Sequence, residues 1–372
     1  MSGAVSHLYV HLPFCAHRCG YCDFVTLVGR AGSHDAYVDA VLAELSLEGG
    51  VLGSPVETVF VGGGTPTYTD AGALERLLAA LPDAAEVTVE ANPETVTPEL
   101  ARLLSRNRVN RVSLGAQSFN TALLAVLERR AQPSDIRRSM HVLRDAGFEN
   151  ISLDLLYGIP GQTPADLDAD IEAALALQPE HVSYYELEAK PGTRFTHAHG
   201  AELDRQAEAM EIYFERVVDA LVGAGYRWYE TANFCRPGRE ARHNLGYWLG
   251  RDYLGLGIGA VSTVGARRWR TTPKLGAYLA ALARGERPPS DVEELDRETK
   301  LRERLMLGLR LDEEVPFSEV EAAVDLDALA RLESLRLVER RGGGLALTHR
   351  GRFLGGGVTA DLLAEIPAND YN

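Results

Sequence analysis

Cysteine is scarce, four in 372 residues, which excludes the disulfide framework of a small secreted domain and fits a reducing compartment. Positive charge is short as well. With 38 Lys and Arg against 53 Asp and Glu the formal net charge is −15, which argues against a nucleic-acid or anionic-membrane partner. No apolar run reaches the ~18 residues a membrane helix needs, and residues 1–7 lack the basic start and apolar centre of a secretion signal. The expected location is therefore cytoplasmic, with at most peripheral membrane contact. There is no low-complexity tract. With 45% hydrophobic residues, the chain can bury a large core and fill two domains with a small appendage.

Three of the four cysteines crowd into eight positions, Cys15, Cys19 and Cys22. Residues 8–12 alternate and are rich in strand formers, so the thiols sit on the loop that leaves a strand. Spacing of this kind is a ligand set or a redox site. Structural zinc wants four ligands, and the fourth here would have to be His11 or His17. An iron–sulfur cluster held by three thiolates keeps one iron open for a chelating ligand.

The first two thirds repeat one unit of short apolar run, polar or Gly-rich loop and amphipathic helix. Six runs, at 7–12, 56–61, 86–91, 109–115, 150–156 and 181–187, alternate with helical segments near 34–48, 70–81, 97–107, 120–146 in two pieces, and 163–177. Such alternation predicts a parallel sheet with right-handed crossovers. Polar residues follow every strand at the same end, which favours a six-strand partial (β/α)6 TIM-like barrel over an open sheet with one switch point. A long helix near 203–224 precedes the string His243-Asn-x2-Tyr247-Trp248 and a Gly-rich run that reads as strand and turns beside the barrel. Arg287-Pro-Pro-Ser290 marks a boundary. Beyond it, helices and a small hairpin predict a winged-helix-like α+β domain, whose residues 300–372 carry a net −3, the wrong sign for phosphate. The expected division is 1–190, 191–289 and 290–372.

The Cys-x3-Cys-x2-Cys spacing, with Tyr21 before the last cysteine, resembles the radical S-adenosylmethionine (SAM) superfamily. The longer string from Tyr9 to Phe24 is similar to one branch of it, the oxygen-independent coproporphyrinogen III dehydrogenases and their haem-chaperone relatives. The resemblance implies a [4Fe–4S] cluster on Cys15, Cys19 and Cys22 with SAM on the open iron. It also implies SAM contacts from Tyr9, Tyr21, Gly63, Gly64, Thr65, Glu90, Gln117, Arg129 and Asp154. The chemistry suits them, since an ammonium and ribose hydroxyls want carboxylates while the SAM carboxylate wants a guanidinium.

Two departures from the dehydrogenase branch favour the chaperone branch: Phe24 stands where the dehydrogenases have a further cysteine, and only eight residues precede Tyr9. The resemblance then implies haem as ligand, with His243 as its contact, apo-haem proteins as acceptors (respiratory enzymes among the candidates) and an electron donor. His243 with Tyr247 and Trp248 also reads as an aromatic cluster closing the sheet. Val261 replaces a histidine common in relatives, so a second imidazole is missing. The alternative function is the radical decarboxylation of coproporphyrinogen III. SAM cleavage is compatible with the motif, and dehydrogenase activity is not expected.

Overall fold

The computed structural model describes residues 5–364 apart from 189, 191 and 192. Strand β1 (His7–Leu12) is followed by the two-residue strands β2 (Phe14–Cys15) and β3 (Leu27–Val28). Next come β4 (Val56–Gly63), β5 (Ala84–Ala91), β6 (Arg111–Gln117), β7 (Ile151–Tyr157) and β8 (His181–Glu186). Between them run α1 (His34–Glu48), α2 (Ala71–Ala80), α3 (Pro98–Arg106), α4 (Thr121–Val126), α5 (Pro133–Asp145) and α6 (Pro164–Ala176). The helix starts are local in origin: Asp70, Thr97 and Thr163 each accept hydrogen bonds from the first turn, and Pro98 and Pro164 occupy first helical positions.

Strands β1, β4, β5, β6, β7 and β8 lie side by side in chain order, every pair parallel. A doubly wound sheet reverses its order at a switch point. An order that never turns back keeps the crossover helices on one face and curls the sheet into a partial barrel. Alternation decides what each face carries. Leu8, Val10, Val59, Val61, Val87 and Val89 are buried in one apolar core with α1 to α3, each such side chain contributing roughly 1.5–3 kcal/mol. The intervening His7, Tyr9, Phe60, Glu90, Ser113 and Asp154 fall on the concave face.

After the long α7 (Arg194–Gly223), β9 (Arg227–Glu230) and β10 (Asn233–Cys235) extend the sheet antiparallel beyond β8. The short α8 (Arg242–Trp248) packs under the starts of β1, β4 and β5. On the far side of β1, β11 (Tyr253–Leu256) pairs in parallel, followed by antiparallel β12 (Val261–Val264), β13 (Arg267–Thr271) and β14 (Ser290–Glu294). The Gly-rich run thus supplies a seventh parallel strand, and the whole sheet has twelve strands. Helix α9 (Leu275–Ala283) packs on α1, where Tyr278 donates to Glu44 at 2.7 Å.

The C-terminal unit contains α10 (Arg297–Gly308), β15 (Val315–Pro316), α11 (Phe317–Val320), α12 (Leu326–Ser334), the hairpin β16 (Val338–Arg341) with β17 (Gly344–Leu347), α13 (His349–Phe353) and α14 (Gly355–Leu362). Its three-stranded sheet, ordered β15-β17-β16, covers a separate core around Leu305, Leu329, Leu332 and Leu345. This is the winged-helix-like order. The unit is fastened to β9: Arg227 grips Asp312 through two 2.8 Å hydrogen bonds, Arg310 pairs with buried Glu230, and the Asp312 N–H donates to the Tyr229 carbonyl at 3.0 Å.

Candidate functional site

The loop carrying the cysteines is closed at its base by the β2–β3 pairing and by the Leu27 N–H on the Pro13 carbonyl. Inside it, the Cys22 N–H donates to the Cys19 carbonyl. Cys15, Cys19 and Cys22 border one cavity of about 420 Å³ at the C-terminal end of the barrel strands. Among the described residues no three His, Cys, Asp or Glu side chains meet at the position of a single metal ion. Burial pushes the Cys15 thiol up and that of Cys22 to about 11. A bound cation reverses this by stabilising the thiolates.

Of the expected SAM contacts, the cavity gathers Tyr21, Gly63, Gly64, Thr65, Glu90, Gln117, Arg129 and Asp154. Arg129 rather than exposed Arg130 reaches inward. Its guanidinium donates to Asn92 at 2.8 Å, to the Gly115 carbonyl at 2.9 Å and to the Cys19 sulfur at 3.8 Å, while Nε is buried without a partner. Asn92 also donates to Thr65, whose hydroxyl lies 3.5 Å from the Cys15 sulfur. Glu90 accepts from the Gly63 N–H at 2.9 Å, and Asp154 from Ser113 at 2.8 Å and Ser152 at 3.2 Å. Burial raises the Glu90 carboxyl to about 7, partly offset by the Gly63 N–H, and burial also raises Asp154. Both carboxylates would gain from a cationic ligand. The donor set therefore suits a cluster and an amino-acid-bearing cofactor.

The glycines have a packing cause of their own. Gly63 has φ +114°, and a Cβ there would meet the His11 ring at 2.5 Å; one on Gly64 would meet the Pro13 carbonyl oxygen at 2.6 Å. Only glycine lets the strand end pass so close to the cysteine loop. Gln117 takes a left-handed φ of +65° at a register shift in β6, and this bulge aims its side chain at the cavity.

Two expected residues lie elsewhere. Tyr9 sits beneath the cavity, its ring stacked 6.1 Å from Phe60 and its hydroxyl 3.0 Å from His11 Nδ1. His243 is 1% exposed, with Nδ1 hydrogen-bonded to Thr58 at 2.7 Å and Nε2 to Tyr247 at 2.8 Å. Neither ring nitrogen is free for iron, and burial lowers its pKa to about 3. In this arrangement His243 is part of the barrel floor, with both ring nitrogens engaged by protein partners. Glu86 accepts from the Arg242 and His243 N–H groups, holding the start of α8 in place.

Sequence reasoning missed Arg111. It lines the cavity, is 2% exposed, and has no side-chain hydrogen bond or ion pair among the described residues, its Nε being buried and unpartnered. An arginine at an inward position of an apolar strand was the available signal. Asn92 and Asn244 also line the cavity, and Phe24 stands at its mouth, 61% exposed.

Residues 9–174 match the radical SAM superfamily and 295–354 the HemN C-terminal domain. The chain is 37% identical to the heme chaperone HemW of Mycobacterium tuberculosis over 98% of this chain and 96% of that one. It is 34% identical to the heme chaperone HemW of Bacillus subtilis over 96% and 99%. Among solved structures, coproporphyrinogen III oxidase (HemN) from Escherichia coli superimposes with a TM-score of 0.79 at 23% identity, covering 96% of this chain and 90% of that one, which shows the shared fold.

Proposed function

The chain belongs to the heme chaperone HemW family within the radical SAM superfamily, and from this premise we propose that it binds haem and hands it to apo-haem proteins, with a [4Fe–4S] cluster and SAM at the mouth of its barrel. Near-full-length similarity to the chaperones carries the reading, and Phe24 in place of the dehydrogenase cysteine supports it. Cys15, Cys19 and Cys22 are the cluster ligands in this reading. When bound, the cluster supplies an iron with an open position and a one-electron couple. Arg129 offers its guanidinium to a carboxylate beside the thiols, while Glu90 and Asp154 accept from an ammonium or from hydroxyls. Gln117, Thr65 and the backbone of Gly63 and Gly64 border the same ligand, and Tyr21 covers it beside the cluster loop; Tyr9 acts from beneath through Phe60.

The acceptors are apo-haem proteins, respiratory enzymes among them, and an electron donor serves the cluster. Among the described residues no helix is long and apolar enough to cross a membrane, and the proposed location is the cytoplasm. The proposed division keeps 1–190 as the barrel core, 191–289 as its extension and 290–372 as the C-terminal module, with β14 reaching back into the large sheet.

The test is an anaerobic hemin titration of cluster-loaded protein beside an assay for protoporphyrinogen formation from coproporphyrinogen. Saturable hemin binding without turnover is the expected result. Turnover of coproporphyrinogen with no hemin binding would move the protein to the dehydrogenase branch.

A further inference from the structure

Helix α8 is a partition between two cavities. Asn244 lines the barrel cavity, and His243 stacks 5.2 Å from Phe60, another of its walls. One turn later, Tyr247 and Trp248 line a wider cavity of about 910 Å³ outside the barrel, closed on its far side by α10. That volume lies within the ~300–1,000 Å³ of small-molecule sites. Its walls are largely apolar, with Trp248, Tyr253, Leu301, Met306 and Leu307 prominent. Tyr247 and Tyr253 meet edge to face at 4.6 Å, and Met306 is left 46% exposed.

The groove also has an uncompensated positive edge. Arg251, Arg268 and Arg304 are each paired, with Glu57, Glu303 and Glu319. Arg297 and Lys300, three residues apart on α10 and therefore on one face, have no carboxylate within ion-pair distance among the described residues; Lys300 donates only to the Gly265 carbonyl. Two unpaired cations beside a broad apolar recess, in a chain of net charge −15, match a flat apolar ligand with an anionic edge.

We propose that this groove seats the haem, its macrocycle against Trp248, Tyr253, Leu301 and Met306 and its propionate carboxylates on Arg297 and Lys300. The assignment rests on the haem-binding reading above and places the ligand outside the barrel, on the opposite side of α8 from the cluster. It gives the string at 243–248 a divided role. His243 and Asn244 belong to the barrel, Tyr247 and Trp248 to the groove, and the His243–Tyr247 hydrogen bond joins the two.

The test uses cluster-loaded, SAM-bound protein titrated with hemin and with hemin dimethyl ester, whose propionates are blocked. The Arg297→Glu/Lys300→Glu double variant should bind hemin about tenfold or more weaker, as expected for losing charge-assisted contacts, with SAM binding and iron content unchanged. The parent should prefer hemin over the ester by a similar factor, a comparison that stands even if the double variant accumulates poorly. Equal hemin affinity in the parent and an intact double variant, or equal affinity of the parent for hemin and ester, would overturn the groove while leaving haem binding in place. A parent that binds no hemin overturns the underlying reading as well.

Discussion

At the N-terminal end of the barrel strands, buried polar groups are closed on one another. His7 and His243 share the Thr58 hydroxyl, His243 continues to Tyr247, and His181 bridges Ser152 and Tyr229, whose hydroxyl accepts from the Ala241 N–H. Of these groups, His7 Nε2 is left without a partner among the described residues, against Gly246 where a Cβ would not fit. Facing the cavity, Arg111 at the start of β6 has no side-chain hydrogen bond or ion pair among the described residues, and Glu90, Gln117 and Asp154 turn toward the same space. The two ends contain similar residue types. What separates a floor from a site is whether the partners are already supplied by the protein, since an unsatisfied buried group is costly and a satisfied one is not.

The comparison breaks most sharply at the cysteines. Cys15→Ala, Cys19→Ala or Cys22→Ala should abolish a cluster of about four irons and four sulfides per chain, measured by iron and sulfide analysis after anaerobic reconstitution; zinc in place of iron in anaerobically purified protein would contradict the assignment. Next in size, Glu90→Ala or Asp154→Ala should weaken SAM binding by roughly 1–3 kcal/mol in calorimetry, with the cluster retained. At the floor the opposite pattern is expected: His243→Ala should lower unfolding stability by about 1–3 kcal/mol through its two lost hydrogen bonds, yet leave cluster content and SAM affinity as they were.

The pH dependence sharpens the same contrast. Glu90 is raised by burial to about 7 from an ordinary 4.5, so the folded ligand-free protein binds more protons than the unfolded chain between those values, and stability falls as pH rises through that window. Glu90→Gln should flatten the slope by on the order of 1–3 kcal/mol between pH 5 and 8, read from denaturant midpoints. The floor histidines are held neutral by burial, His243 near 3 and His181 well down, so their contribution lies at lower pH. They become stabilising as pH rises from acid toward their ordinary value. Smallest of all, the exposed Arg76 pairs with Asp35 and Asp39, and Arg76→Ala should change stability by less than about 1 kcal/mol.

Much of this was legible in the chain. All six barrel strands and their helices lie close to where alternation and three- to four-residue steps put them, and Asp70, Thr97 and Thr163 start their helices by contacts within their own first turn. The gathering of eight expected ligand-facing residues in one cavity follows from their common place at strand ends. Other features have no local signature. The bulge that turns Gln117 inward is a strain imposed by its neighbours, and the double engagement of His243 depends on Thr58, 185 residues away. Arg111 could be seen in the sequence, but its lack of partners could not. The second cavity arises only where α8 and α10 meet, segments that carry no shared pattern.

The fastening of the C-terminal unit on β9 has a consequence for how the molecule behaves in a crowd. Edge strands invite pairing with other chains, and a twelve-stranded sheet has two of them. At one edge the Asp312 N–H already occupies the Tyr229 carbonyl and Leu311 bridges Glu230, so the C-terminal unit acts as a hem on the sheet. At the other, β14 carries Asp291, Glu293 and Glu294 opposite Arg270, Arg268 and Arg267 of β13, a charged border of the kind that disfavours pairing with a second copy. The sheet is thereby guarded against fibre-like self-templating by a covering module on one border and by charged side chains on the other.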